Sequence, residues 1–464
     1  ELVNTPDFDN PLTNILKEAS EVKPFFGYLF IIASIGSIFG LAPYKFYLIL
    51  SGIAASLIPV SVFIACNEGF KLEKKKSLLI SFLITINISY FFWPIIGQLS
   101  FVTGIAYLIL AIGFIPNMLQ CKERNDYFLY SLIMAGMVSM YFQLTPYILG
   151  VTLVYMFILR GMKIKQNIYT SFKNILIISL ITFAITPFFF LFVAQHGIEF
   201  IATTSKFTKN IPRYPYWEEI LGFGQHFSMQ HDGSIKHYLT LSVAILCAFY
   251  VCSGFYKSFK NRNFLFLSVS LFVFSLGSYF IAIGYTYHFY KNSIMGVFVI
   301  IPAFVIGGYW LFRSTNIVKF KLFTLGTFIA FIGLNINTYT NVSILSSHPV
   351  ITKSYINLKK ISNILSGNKR ILINSQNPTE EIWLSYFLQN NKMKLKGSLE
   401  PWGFWIYSPA TGKSDSRFFY NYTTDNIDYT LSPKLKHKED IVEVDYGKIV
   451  YENETYILSE NVPN

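Results

Sequence analysis

Few side chains in this chain are equipped for chemistry, and they are bunched. Between residues 195 and 237, Lys206, Lys209 and Arg213 run into the string Tyr214-Pro-Tyr-Trp-Glu-Glu219. Basic groups followed by aromatics suit a lipid phosphate carrying a sugar, with Arg213 offering a planar two-pronged guanidinium. An aromatic belt that only anchors the chain at an interface has the same composition. His226, His231, Asp232 and His237 follow and raise the question of zinc. Their separations of five, one and five residues do not set two imidazoles on one helical face as His-x-x-x-His does. Exposed loop histidines are the stronger reading, and no metal ligand is assigned. His288 and Lys291, in Tyr285-Thr-Tyr-His-Phe-Tyr-Lys291, sit where two apolar runs meet, placed to line the same cavity. Near the start, Asp7 and Asp9 stand in Thr5-Pro-Asp-Phe-Asp-Asn-Pro-Leu12, where they suit the cap of a helix beginning near Pro11. Glu21 and Lys23 open the next apolar run, a place for charges that snorkel from a helix end. The late cluster Glu400-Pro-Trp-Gly-Phe-Trp405 is able to stack on sugars, but seating a domain on a membrane surface accounts for it better.

The elements that must hold these groups are those of a membrane protein. Hydrophobic residues make up 52% of the chain and charged ones 14%, against about 25% charged in soluble domains. Phe and Tyr, at 46 and 31 residues, suit lipid-facing and interfacial positions. Apolar runs of spanning length occur at 43–66, 77–96, 100–119, 127–143, 145–160, 174–194, 238–256, 264–284, 293–312 and 322–342. Every second loop is basic: Lys71 to Lys76; Lys122 and Arg124; Arg160 to Lys173; Lys257 to Arg262; Arg313 to Lys321. Positive-inside then puts those loops in the cytoplasm, and the 195–237 loop and the tail from about 343 outside. The net charge of +12 is accounted for by this arrangement, which leaves nucleic acid without a role. The four cysteines, Cys66, Cys121, Cys247 and Cys252, all avoid the outer segments, so no disulfide framework is expected.

The fold class expected is therefore an α-helical polytopic membrane bundle of about ten spans plus an interfacial helix, with a small C-terminal extracytoplasmic α/β domain. Its parts are an outer segment over 1–42, the bundle over 43–342 and the domain over 343–464. Within the tail, helices are expected at 353–366 and 378–390, and strands at 370–375, 427–431, 441–444 and 448–451. The apolar run 24–40 either crosses or lies flat. If it lies flat, residues 1–23 are outside and a preceding span is expected upstream of Glu1. No Asp, Glu, Lys or Arg falls mid-span, which weighs against an ion-coupled transporter. No P-loop or Rossmann glycine pattern is present.

The stretch Glu21-Val-Lys-Pro-Phe-Phe-Gly-Tyr28, the run ending Ile-Phe-Gly40-Leu-Ala-Pro43 and the following span with its basic loop resemble a known pattern. They are similar to the region after the first outer loop of GT-C glycosyltransferases, which include protein mannosyltransferases and the lipid A aminoarabinose transferase. The similarity covers roughly residues 18–160. It implies an inverting transfer of sugar from a polyprenyl-phosphate carrier to an envelope glycan, lipid or protein on the outer face of a bacterial inner membrane. It implies a carboxylate general base, Asp9 or Asp7, unless that residue lies upstream of Glu1. It also implies Glu21 and Lys23 as contacts for carrier or acceptor, to which the residue chemistry above adds Arg213, His288 and Lys291. The cofactor it leaves open is a divalent metal, yet the turn Gly97-Gln-Leu-Ser100 lacks the acidic residue many members carry there. The alternatives are a polysaccharide or lipid transporter, which needs a hydrated path, and a scaffold presenting the tail as a binding module. Orientation is directly measurable. Alkaline phosphatase fused after Asn464 is expected to be active and a fluorescent protein there dark, with the reverse for fusions in the Lys71 to Lys76 loop. Activity pointing the other way would invert the topology.

Overall fold

The computed structural model describes residues 38–39, 44–87, 99–164, 168–187, 214–223, 235–345, 357–358, 360–361, 370–373, 392–395, 428–434 and 448–460. The chain divides into two compact units. One comprises Pro24–Gln195 and Thr208–Ser347, the other Glu1–Lys23, His196–Phe207 and His348–Asn464.

The first unit is helical: α1 Tyr44–Ile64, α2 Lys74–Thr85, α3 Leu99–Leu119, α4 Arg124–Tyr141, α5 Thr145–Gly161, α6 Ile168–Ile185, the single turn α7 Trp217–Ile220, α8 Ile235–Lys260, α9 Phe264–Ala282, α10 Thr286–Ser314 and α11 Val318–Leu345. Among the described residues seven segments are long and apolar enough to cross a membrane: Gly52–Gly69, Ser100–Leu119, Arg124–Gly161, His237–Lys260, Phe264–Ala282, His288–Ser314 and Val318–Thr338. The sequence led to an expectation of about ten. Part of the difference has a visible origin. Arg124–Gly161 holds 38 residues, which straight would reach about 57 Å, nearly twice a hydrocarbon core. It breaks at Tyr141 (φ −157°, ψ 83°) into α4 and α5 through a 3-10 turn, Phe142–Leu144. The run 174–194 is helical earlier than expected, as α6, and 77–96 is described only to Asn87.

The basic loops gather at one end. The ring of Tyr309 lies under Lys76 at 4.3 Å and under Arg313 at 4.6 Å, and Trp310 lies under Lys257 at 5.9 Å. The Asn263 amide donates to the Phe70 carbonyl at 2.8 Å, tying the loop after α8 to the one after α1. Lys71, Lys163 and Arg262 have φ of 53°, 55° and 55°, the left-handed turn that ends a helix, and basic side chains there also suit the negative end of the helix dipole. Lys76 donates to the Glu73 carboxylate at 2.9 Å, which with its charge holds that exposed acid below its usual range. Cys121, buried between α3 and α4, has its thiol pushed up to about 11 by burial.

Lipid offers no hydrophobic drive for helices to associate, so close contact and small residues do the work. α10 is buried along most of its length, every residue from Ile294 to Val305 being inside. It meets α8 backbone to backbone: a Cβ added at Gly254 would lie 1.9 Å from the Ala303 carbonyl oxygen, and one at Gly307 would lie 1.9 Å from that of Tyr250. α1 crosses α3 at Gly113, where a Cβ would lie 2.6 Å from the Ala65 Cα. Hydrogen bonds supplement this packing. Asn174 of α6 donates to the Leu119 and Cys121 carbonyls, both at 3.1 Å, and Tyr250 bonds Thr324 of α11 at 3.1 Å.

The second unit contains a five-stranded sheet. Its strands are β1 Arg370–Ile373, β2 Lys392–Leu395, β3 Tyr429–Pro433, β4 Lys448–Glu452 and β5 Tyr456–Glu460, in the order β2-β1-β3-β5-β4. β1 pairs in parallel with β2 and β3, and β5 antiparallel with β3 and β4. Ile371, Leu431 and Leu458 are fully buried with Leu358 and Ile361. The Asn453 side chain accepts from the Thr455 and Tyr456 N–H groups at 2.8 and 2.7 Å and closes the β4–β5 hairpin. The strands read at 370, 427 and 448 are present, whereas β2 and β5 were not anticipated; the helix 378–390 and strand 441–444 lie outside the described residues.

Gly307→Ala inserts a methyl where backbone already stands, and is expected to lower stability by about 1–3 kcal/mol, read as a fall in detergent melting temperature. Gly326→Ala, with nothing within 4 Å, is expected to leave it within about 0.5 kcal/mol. Equal melting of the two variants would contradict the α8–α10 contact.

Candidate functional site

Two polar groups lie inside the bundle away from its basic end. The first surrounds Lys291. α10 begins beyond Gly284, whose φ of +74° turns the chain after α9, so Lys291 falls in its second turn. The ammonium donates to the Tyr141 hydroxyl and faces the rings of Tyr141 at 5.0 Å and Phe101 at 5.4 Å. Those two rings pack edge to face at 5.0 Å. Attraction between an ammonium and ring faces is stronger where water is excluded. The break at Tyr141 that ends α4 is what brings its ring and hydroxyl here. Next along α10, buried Asn292 accepts from Tyr147 of α5 at 3.0 Å and donates to the Val273 carbonyl at 3.0 Å. His288, half-buried, lies 5.5 Å from Phe280 and 5.7 Å from Tyr285.

The second group is the segment 214–223, which the sequence reading placed in an outer loop. It packs into the bundle. Tyr214 sets its ring across Phe289 at 5.2 Å and its hydroxyl on the Ile281 carbonyl at 3.4 Å. α7 follows, with Trp217 Nε1 donating to the Ala244 carbonyl at 3.1 Å. Past it, Asn87 from the end of α2 and Asn335 from α11 both donate to the Leu221 carbonyl at 3.1 Å. Gly222, at φ +85°, has no room for a side chain: a Cβ would stand 2.2 Å from Asn335 Oδ1. Phe223 packs on Phe331 at 5.5 Å.

This segment carries two carboxylates, Glu218 and Glu219, 3% and 0% exposed. Glu219 accepts from the Tyr216 N–H at 2.9 Å and so caps its own turn. Glu218 Oε1 and Asn335 Oδ1 are buried with no hydrogen-bond partner among the described residues. Counting at 1.5 Å per residue from the basic end, Ala244 and Asn335 lie roughly 25 Å up their helices and Lys291 about 33 Å up its own. In a core about 30 Å thick, both groups sit near the boundary opposite the basic loops.

Of the site residues expected from the sequence, His288 and Lys291 lie at this end of α10. Asp7, Asp9, Glu21, Lys23 and Arg213 lie outside the described residues, as do the run 24–37, His226, His231, Asp232 and the Glu400–Trp405 cluster. Among the described residues no three His, Cys, Asp or Glu side chains gather as a metal site. Sequence reasoning passed over Glu218 and Glu219 as loop acids. Their one signal was two adjacent acids flanked by aromatic and branched residues, in a chain that keeps acids out of apolar company. No protein-family model matches the chain, and no curated protein does.

The shared grip on Leu221 predicts non-additivity. Asn87→Ala and Asn335→Ala are each expected to cost about 1 kcal/mol, since the other amide still serves the carbonyl. The double variant is expected to exceed their sum by about 1 kcal/mol or more, measured by thermal unfolding in detergent. Strict additivity would mean that the carbonyl is not shared.

Proposed function

We propose that the protein is a membrane transferase that takes a sugar from a polyprenyl-phosphate carrier and passes it to a hydroxyl of an envelope glycan, lipid or protein. The observation that carries this is the place of Lys291. In the seven apolar segments it is the one Asp, Glu, Lys or Arg not at the basic-loop end. An ionisable group kept inside an apolar bundle is costly and marks function. A lysine held on aromatic faces at the depth of lipid headgroups brings hydrogen-bond donors to a phosphate, whose negative charge favours the ammonium form, while the carrier's tail lies along the apolar exterior. As the glycosyl bond breaks, charge develops on the leaving phosphate, and a positive group already in place stabilises it without reorganising.

The resemblance described above adds the GT-C reading and names Asp9 or Asp7 as base, with Glu21 and Lys23 as further contacts; the basic and aromatic string around Arg213 adds that residue. It also sets the protein in a bacterial inner membrane, while the basic loops put the tail domain on the outer side and the apolar runs make about ten spans in all. No ligand set for a divalent metal gathers among the described residues. A transporter would need charged groups along the bundle's length, whereas in the seven apolar segments Lys291 is the one such group away from the basic-loop end.

The test uses the full chain in nanodiscs with undecaprenyl phosphate. Wild-type protein is expected to gain thermal stability with the phosphorylated lipid and not with undecaprenol. Lys291→Met, which keeps length and loses charge, is expected to weaken that binding at least tenfold. Equal stabilisation by the alcohol, or unchanged binding by the variant, would remove Lys291 as the phosphate site.

A further inference from the structure

The other polar group has a chemistry opposite to that of Lys291. Asn335 is held the right way round by two carbonyls, because its Nδ2 donates to Leu221 at 3.1 Å and to Phe331 at 3.0 Å. Its Oδ1 is therefore the atom that faces Gly222, and the backbone of Gly222 approaches it closely enough to exclude any side chain there. Glu218 lies four residues before Gly222, and its backbone carbonyl takes the Phe223 N–H at 2.9 Å. The two acceptors without a donor are Asn335 Oδ1, which faces Gly222, and Oε1 of Glu218, a residue of the same turn. A buried acceptor left unsatisfied costs about 1–3 kcal/mol, and what satisfies it is a donor. A phosphate diester brings none. A hydroxyl brings one, and a sugar ring or polyol brings several in a row.

We propose that Glu218 and Asn335 form the subsite for the acceptor hydroxyl, with Glu218 as the group that takes its proton. This rests on the transferase reading and assigns the base differently from the resemblance, which puts it at Asp9 or Asp7. In the step, the acceptor O–H bond breaks and its proton goes to Glu218 Oε1. The acceptor oxygen bonds to the anomeric carbon. The bond from that carbon to the phosphate oxygen breaks, and its electron pair leaves on the lipid phosphate toward Lys291. Asn335 accepts from a second hydroxyl and is a positioning residue. Glu219 is not interchangeable with Glu218, since it already takes the Tyr216 N–H.

The experiment uses the full chain in nanodiscs with undecaprenyl-phospho-glucose and undecaprenyl-phospho-mannose as donors. An octyl glycoside and a threonine peptide serve as acceptors, and released undecaprenyl phosphate is measured. Glu218→Gln is expected to keep the stabilisation by undecaprenyl phosphate and to lose release at least 100-fold, the scale of general-base catalysis. Glu218→Asp is expected to recover part of it. Asn335→Ala is expected to raise the KM for the octyl glycoside more than it lowers kcat. A Glu218→Gln variant that releases lipid within twofold of wild type overturns the assignment and leaves the transferase reading standing. Wild-type protein that binds undecaprenyl phosphate but releases none from either donor overturns both. Labelling covers the case in which the variants do not fold. Dicyclohexylcarbodiimide is expected to modify Glu218 in wild-type protein, and the octyl glycoside to protect it. An unmodified Glu218, or no protection because water alone fills the place, overturns the subsite.

Discussion

The approach of α8 to α10 is the contact on which the rest of the bundle depends. At Gly254 and Gly307 backbone stands on backbone, with no side chain between. Dispersion between helices is weak atom by atom and needs many atoms at short range. Glycine supplies that range in a solvent that gives no hydrophobic drive. With α10 fixed, its two ends acquire opposite characters. Tyr309 and Trp310 draw in the basic side chains at one end. At the other, Phe289 seats Tyr214 and Lys291 meets the α3–α4 pair.

The second level of organisation is polar. A segment without regular structure is tolerated at membrane depth only when its backbone groups find partners inside the protein. In residues 214–223 the Leu221 carbonyl takes the amides of Asn87, at the end of α2, and Asn335 of α11, while the Tyr214 and Trp217 side chains donate to the Ile281 and Ala244 carbonyls of α9 and α8. The two asparagines are the price of letting a loop enter. Each is a polar side chain on an apolar helix, and together they hold a carbonyl that would otherwise go without a donor. The same entry buries two acids, so the cost of admitting the loop and the means of doing chemistry come from the same few residues.

Much of the bundle was legible because hydropathy and charge in a membrane protein are set by the solvent. The basic loops after 70, 121, 160, 257 and 313 could be read directly, and Lys71, Lys163 and Arg262 prove to be helix-ending residues as well. Strands β1, β3 and β4 were legible from alternation, while β2, Lys-Met-Lys-Leu395, has only two apolar residues to show. What could not be read is where the chain doubles back inside. Glu218 and Glu219 lie in a stretch whose composition matches an exposed interfacial loop. Only the partners Asn87 and Asn335, over a hundred residues away in each direction, make it a buried one. Tyr141 is a similar case: nothing local marks it as the break in a 38-residue apolar stretch.

The two polar groups differ in sign, and on the proposed transferase reading this bears on how a charged donor and a neutral acceptor would be told apart. Lys291 presents hydrogen-bond donors and positive charge; Glu218 and Asn335 present acceptors. A phosphate placed against Glu218 would meet like charge with no donor between, at a depth where screening by solvent is weak. A hydroxyl placed against Lys291 would offer only a weaker, uncharged acceptor than the phosphate it displaced. Each ligand is thus favoured at one group and disfavoured at the other. The discrimination therefore rests on opposite hydrogen-bonding characters, and the positive one is carried by α10, which Gly254 and Gly307 let lie directly against α8.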